Sequence, residues 1–313
     1  MTHSMLASQP TSEPIATGCK PTYYRLVSIT RLPAVHGKAI TNLASLYHDQ
    51  EELLVTWQSP QVDCRLKRGC LVTIRGRKPL ALSGDAWPIQ RLDLLEKPLP
   101  GVNPFETVPS SWVRDRNWIA RASELWLQLS RPFQHLLTAV FWDARRFERF
   151  LTGPATLADY RPLPNANLRH AVETAEQAIA LAHGLSAVSP SVLIAAALLH
   201  DAGKADDYRL TPERNGYSLS ERGQLVGSRH TVLEWLAVAR GRDGVIVPDS
   251  QYLALIHVLT ATPGASALGI REPQTVEATI LSVAHRVVSE SAWPPIDALA
   301  GSHQLRTAVS RVR

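Results

Sequence analysis

The sequence predicts an α+β chain of two parts: a small five-stranded β-barrel or sandwich, then an all-helical domain. Three observations predict it. The hydrophobic period is strand-like from Pro21 to about Glu96 and helical from Ser123 onward. A segment with four prolines and a glycine, Lys97–Ser111, lies between them. The charge divides at the same place, because residues 1–100 carry +4 of the chain's net +5.

The elements follow in order. Residues 1–20 are small, polar and proline-containing, and read as a flexible tail. Strands are expected at Tyr23–Leu32, Ala39–His48, Glu52–Gln58, Cys70–Leu80 and Trp87–Glu96, which makes 21–98 the β domain. Residues 99–155 give a linker and a helical connector, with Ser123–Leu151 at helical spacing and interrupted by Pro132. Helices are expected at about 166–183, 191–203, 222–240, 250–261 and 272–291, so 156–292 is the helical domain and 293–313 a C-terminal tail.

Composition excludes several classes. A 313-residue chain that is 45% hydrophobic and 19% charged is not disordered throughout. The longest wholly apolar run is Val192–Leu199. That is far short of the roughly 20 residues of a spanning helix, so no membrane partner is expected. Three cysteines, Cys19, Cys64 and Cys70, form no C-x-x-C pair and exclude a disulfide scaffold. The start, MTHSMLASQP, lacks the basic and apolar regions of a secretory signal, and a cytoplasmic protein with reduced thiols is expected. There is no G-x-S-x-G and no GxxxxGK[ST], so serine-nucleophile and phosphate-loop chemistry find no support.

The chemistry concentrates in AAALLHDAGKADD, Ala195–Asp207. His200 and Asp201 end an apolar helix, where unpaired polar groups are costly. A divalent metal (Mn, Fe or Mg) satisfies an imidazole nitrogen and a carboxylate oxygen at once. His170, on a helix 30 residues upstream, supplies a further ligand in the way helical bundles build metal sites. Gly203 lets the chain turn, and Lys204, the sole lysine after Lys97, is placed to meet a phosphate.

His170 and His200–Asp201 followed by AGK resemble the HD superfamily of metal-dependent phosphohydrolases. RLKRGCLVTIRGR resembles a strand pair of an OB-fold, and RFERFLTGPAT, ERGQLVGSRHTVLEWL and PQTVEATILSVAHRV resemble further segments of the same arrangement. An OB-like barrel followed by an all-α HD domain is the order in YhaM-type 3′–5′ exoribonucleases, and the likeness covers about residues 21–291. It implies metal ligands His170, His200, Asp201 and His285, the last standing where the family has Asp. It also implies metal-dependent phosphodiester hydrolysis, with Asp201 and Lys204 at the reaction and Lys204, Arg161 or Arg229 neutralising the phosphate. The sequence departs from the family at Tyr160 and Arg161, at Ser228, and at Ala261–Gly264, where the family has mostly histidines. Two other readings therefore stay open: a degenerate HD domain in a non-catalytic binding or assembly protein, and a module related to relaxases of integrative conjugative elements.

Single-stranded RNA or DNA is the expected partner, because a basic groove and aromatic faces suit phosphates and bases. The candidates are Arg65, Lys67, Arg68, Arg75 and Arg77, with Tyr47 and Trp57 as stacking rings. Trp57 filling the barrel is the competing expectation, and Trp142 reads as a helix-packing residue. Homo-oligomer formation is left open by the sequence.

Overall fold

The computed structural model describes residues 21–33, 39–76, 86–157, 165–211, 213, 216–242 and 244–291. The expected tails, 1–20 and 293–313, lie outside these, as do Arg77, Lys78, Tyr160 and Arg161. The chain is α+β, with a curled six-stranded sheet followed by helices.

The strands are β1 (Tyr24–Pro33), β2 (Ile40–His48), β3 (Glu51–Ser59), β4 (Leu71–Arg75), β5 (Trp87–Pro88) and β6 (Arg91–Leu94), in the order β5-β3-β2-β1-β4-β6. Alternation drives them: in β3, Leu53, Val55 and Trp57 point into the core while Leu54 between them is exposed. The expected fifth strand is two. Trp87–Pro88 runs parallel to β3 at one end of the sheet, and Arg91–Leu94 runs antiparallel to β4 at the other. The change of partner falls between Ile89, whose N–H donates to Thr56 O, and Gln90, whose N–H donates to Arg75 O. One segment of chain thus touches both ends of the sheet.

The helices are α1 (Arg116–Leu127), α2 (Arg131–Val140), α3 (Ala144–Thr152), α4 (Ala166–Ala182), α5 (Pro190–Leu199) and α6 (Lys204–Asp207). A short hairpin follows, β7 (Tyr208–Leu210) and β8 (Tyr217–Leu219), then α7 (Glu221–Leu225), α8 (Ser228–Arg242), α9 (Asp249–Thr260) and α10 (Val276–Ser291). Pro132 lies in the first turn of α2, where its missing N–H costs nothing, so it begins a helix instead of interrupting one. The single helix expected at 222–240 is broken into α7 and α8 at Gly227, which has φ 80°. Helix α5 is apolar all round because it is buried all round, packing against α2, α4, α9 and α10. No helix of the described residues is long and apolar enough to cross a membrane.

The proline-rich segment is no loose tether. Val102, Phe105 and Val108 are buried, and Thr107 takes the guanidinium of Arg25 from β1. That guanidinium also lies over the rings of Trp112 and Phe147, so the sheet and the helices are joined through one buried cation.

Candidate metal centre

Three helices bring the donors together. His170 sits in the second turn of α4, His200 caps the C-terminal end of α5, and His285 lies on α10. Because α5 packs against both α4 and α10, their side chains converge at its end. The turn Asp201–Gly203 then passes against the start of α8. A Cβ on Gly203 would lie 2.0 Å from Ser228 O, so glycine is needed for this close approach.

The ring centroids of His170, His200 and His285 form a nearly equilateral triangle with sides of 5.3, 5.2 and 5.1 Å. One donor atom from each ring and one Asp201 oxygen all lie within 4.8 Å of one another. His170 Nε2 and His200 Nε2 each stand 3.6 Å from Asp201 Oδ2, too far for a hydrogen bond. Neighbouring ligands on a tetrahedral ion at about 2.1 Å stand roughly 3.4 Å apart, so this spacing suits atoms that share a cation. His200 Nδ1 lies 2.7 Å from Ala197 O. A carbonyl only accepts, so Nδ1 carries a hydrogen, and in the neutral ring Nε2 is the atom that has the lone pair. That Nε2 is buried and has no hydrogen-bond partner. Its lone pair is the structural sign that the donor set fits a metal ion.

The protonation states agree. Burial, and then the neighbouring His200, push His170 down to about 3, and they lower His285 in the same direction. Burial alone would raise the Asp201 carboxyl, but His200, Lys204 and His170 outweigh it and hold the group well below the usual carboxylate range. Neutral His170 and His285 beside an ionised carboxylate are the forms that bind metal.

No family model, curated protein or solved structure matches this chain.

The remaining predicted residues divide into those near this centre and those far from it. Lys204 opens α6 and does not cap α5. Its Nζ donates to Asp201 Oδ2 and to Ala155 O, both at 2.6 Å. A cavity of about 350 Å³ opens beside the cluster, lined by His200, Asp201, His285, Ser228 and Arg229 among others. Arg229 is anchored there by Thr262 Oγ1 at 2.8 Å. Arg161 lies outside the described residues.

On the sheet, the two expected stacking rings are corrected by their burial. Trp57 is 7% exposed within the sheet core, and Tyr47 is 8% exposed with the Arg116 guanidinium 5.5 Å from its ring. Neither ring offers a face to a base. Arg65 pairs with Asp63 and Glu96, Arg68 with Glu148, and Arg75 with Asp93, while Lys67 is exposed. Arg65, Lys67 and Arg68 nevertheless line an open groove of about 740 Å³ with Arg145 and the half-buried Trp142. Sequence reasoning missed Trp142 here, because an aromatic at helical spacing looks the same whether it packs or lines a groove.

Proposed function

We propose that this chain is a metal-dependent phosphodiesterase acting on single-stranded nucleic acid, most like a 3′–5′ exoribonuclease, with an HD-type centre behind an OB-like barrel. The observation that carries this reading is the convergence of His170, His200, Asp201 and His285 around a buried, unpartnered imidazole lone pair. The barrel reading is supported by the sheet order and by the segment 87–94, which pairs with both ends of the sheet. The partner reading is supported by the groove of Arg65, Lys67, Arg68, Arg145 and Trp142.

His170, His200, Asp201 and His285 would hold the ion. A divalent cation bound there supplies Lewis-acid activation of water and neutralises a phosphoryl oxygen. The chain's own groups do the rest. Ala197 O fixes the His200 ring, and the α5 terminus fixes Asp201 beside it. Lys204 and Arg229 put positive charge at the cluster and in its cavity, where a phosphate gains most from it. The test is a time course on 5′-labelled single-stranded RNA with Mn²⁺. Lys204→Ala slows hydrolysis by about one to two orders of magnitude and Asp201→Ala abolishes it. Equal activity in all three proteins identifies a contaminant and removes the proposal.

One observation favours the non-catalytic reading. The Lys204 ammonium sits on the same Asp201 oxygen that faces the two histidines, and so supplies a cation from within the chain. On that reading no protein hydrolyses RNA, and Lys204→Ala gains metal affinity because it vacates the carboxylate.

A further inference from the structure

A second pocket, of about 330 Å³, uses none of the four clustered donors and is linked to them through Lys204, which lines it and donates to Asp201 Oδ2. Its lining includes Tyr208, Tyr217, Arg149, Arg209, Pro154 and Lys204. The hairpin β7–β8 supplies the aromatic part. Its register pairs Tyr208 with Leu219 and Leu210 with Tyr217, which puts all four side chains on one face of the two-stranded ribbon. Among the described residues neither hydrophobic core includes Tyr208 or Tyr217, and both are half-buried. Leu210, another lining residue, is 53% exposed, so the apolar wall runs out to solvent.

The polar groups are placed around that apolar wall. Arg149 is committed to Asp206, which lines the same pocket, and to Ala205 O, so this edge is an ion pair without net charge. Arg209 is exposed and, among the described residues, meets Ser218 Oγ at 3.4 Å, its cross-strand partner on the other face of the ribbon. Tyr217 OH makes a long 3.5 Å contact to Thr152 O. Lys204 has its ammonium on Asp201 Oδ2 while its side chain lines this pocket. The ligand that fits is flat and aromatic, and a negative charge on it would lie at the Lys204 end, where the ammonium is shared with Asp201 Oδ2 and Ala155 O.

We propose that the Tyr208–Tyr217 pocket binds the base of a nucleotide whose phosphate lies against Lys204, beside Asp201. The proposal deepens the phosphodiesterase reading and rests on it for the placing of the phosphate. The base-binding half stands on the pocket alone. Stacking on an aromatic side chain tolerates any base, so the pocket selects nucleotides without selecting a sequence.

The test is calorimetric titration of the full, chelator-treated chain with AMP and with ribose 5-phosphate, which keeps the phosphate and lacks the base. AMP binds at least about tenfold more tightly in the wild type. Tyr217→Leu and Tyr208→Leu each remove most of that difference and leave ribose 5-phosphate unchanged. Tyr217→Phe, which keeps the ring and loses only the hydroxyl, binds AMP like the wild type. Equal affinity for the two ligands in the wild type overturns the proposal whether or not any variant folds, and so does AMP binding untouched by both leucine variants. The two readings fail separately. Base-dependent AMP binding without RNA hydrolysis leaves the pocket standing and removes the phosphodiesterase, whereas metal-dependent hydrolysis without base-dependent binding does the reverse.

Discussion

The Arg25 guanidinium and the His200 Nε2 atom are both polar groups out of reach of water, and they are treated in opposite ways. Arg25 Nε donates to Thr107 O at 2.9 Å, one terminal nitrogen to Gly69 O at 2.8 Å and the other to Thr107 Oγ1 at 2.8 Å. Burial lowers it to about 10, which still leaves it charged at neutral pH. His200 as a residue is less deeply buried, yet its Nε2 is out of solvent and has no hydrogen-bond partner, with the Asp201 carboxylate 3.6 Å away. A buried polar group with all its partners marks a joint, and one without them marks a group held for something else. Other buried atoms also lack hydrogen-bond partners, Asn167, Thr174 and Asp207 Oδ1 among them, but His200 alone of that set belongs to a cluster of four groups that could hold a metal ion.

The contrast can be broken in four places. The largest effect is expected at the centre. Replacing His200 with Ala lowers metal-dependent hydrolysis by well over about 100-fold, since residues one shell further out already cost 10–100-fold. Steady-state rates with Mn²⁺ in excess check this, and a loss below tenfold contradicts it.

The next effect is on stability against pH. His170 titrates near 6.5 when unfolded and is pushed down to about 3 when folded. Between those values the unfolded state binds the extra proton, so chelated protein is most stable above about pH 6.5 and loses stability as pH falls through that window. The slope is up to about 1.4 kcal/mol per pH unit for this group, and His285 adds to it in the same direction. Urea unfolding at pH 7.5, 6 and 5 measures it, and His170→Gln flattens the profile. A wild-type profile flat across this range contradicts the buried neutral imidazole.

The joint comes third. Arg25→Met strands the carbonyls of Thr107 and Gly69 and lowers the unfolding free energy by about 2–3 kcal/mol, without changing metal content. Loss of metal in this variant would mean that the joint and the centre are one unit. The smallest effect belongs to the surface. Changing Arg65, Lys67 and Arg68 to Glu leaves the fold intact, because exposed ion pairs contribute little to stability. The same change weakens binding to single-stranded RNA and flattens its salt dependence, because fewer counterions are released. An unchanged salt slope moves the strand elsewhere.

Much of this was legible in the sequence, and what was not has physical causes. The alternation through Leu53, Val55 and Trp57 announces β3, but alternation is silent on whether an aromatic meets a core or a base, and burial decides for the core at both Trp57 and Tyr47. Residues 87–96 read as one strand because hydrophobicity cannot show a change of partner at Ile89–Gln90. The cluster that could hold an ion is legible at His200 and Asp201, which end an apolar helix, at His170 on the helix upstream, and at His285 through the resemblance. The i,i+3 pairing of Lys204 with Asp201 was not foreseen, since a charge beside a metal doublet reads equally as a partner for substrate. The tyrosines of the hairpin gave no signal, because strands of three residues are too short for a period.

The central claim is that the four donors exist to hold a cation, and metal stoichiometry tests it most directly. Elemental analysis of protein purified without chelators, then exposed to Mn²⁺ and desalted, is expected to give close to one first-row divalent ion per chain. His200→Ala and Asp201→Ala are each expected to give almost none while keeping the wild-type fold by circular dichroism. Wild-type protein that remains metal-free after exposure, or variants that retain the ion, would contradict the account.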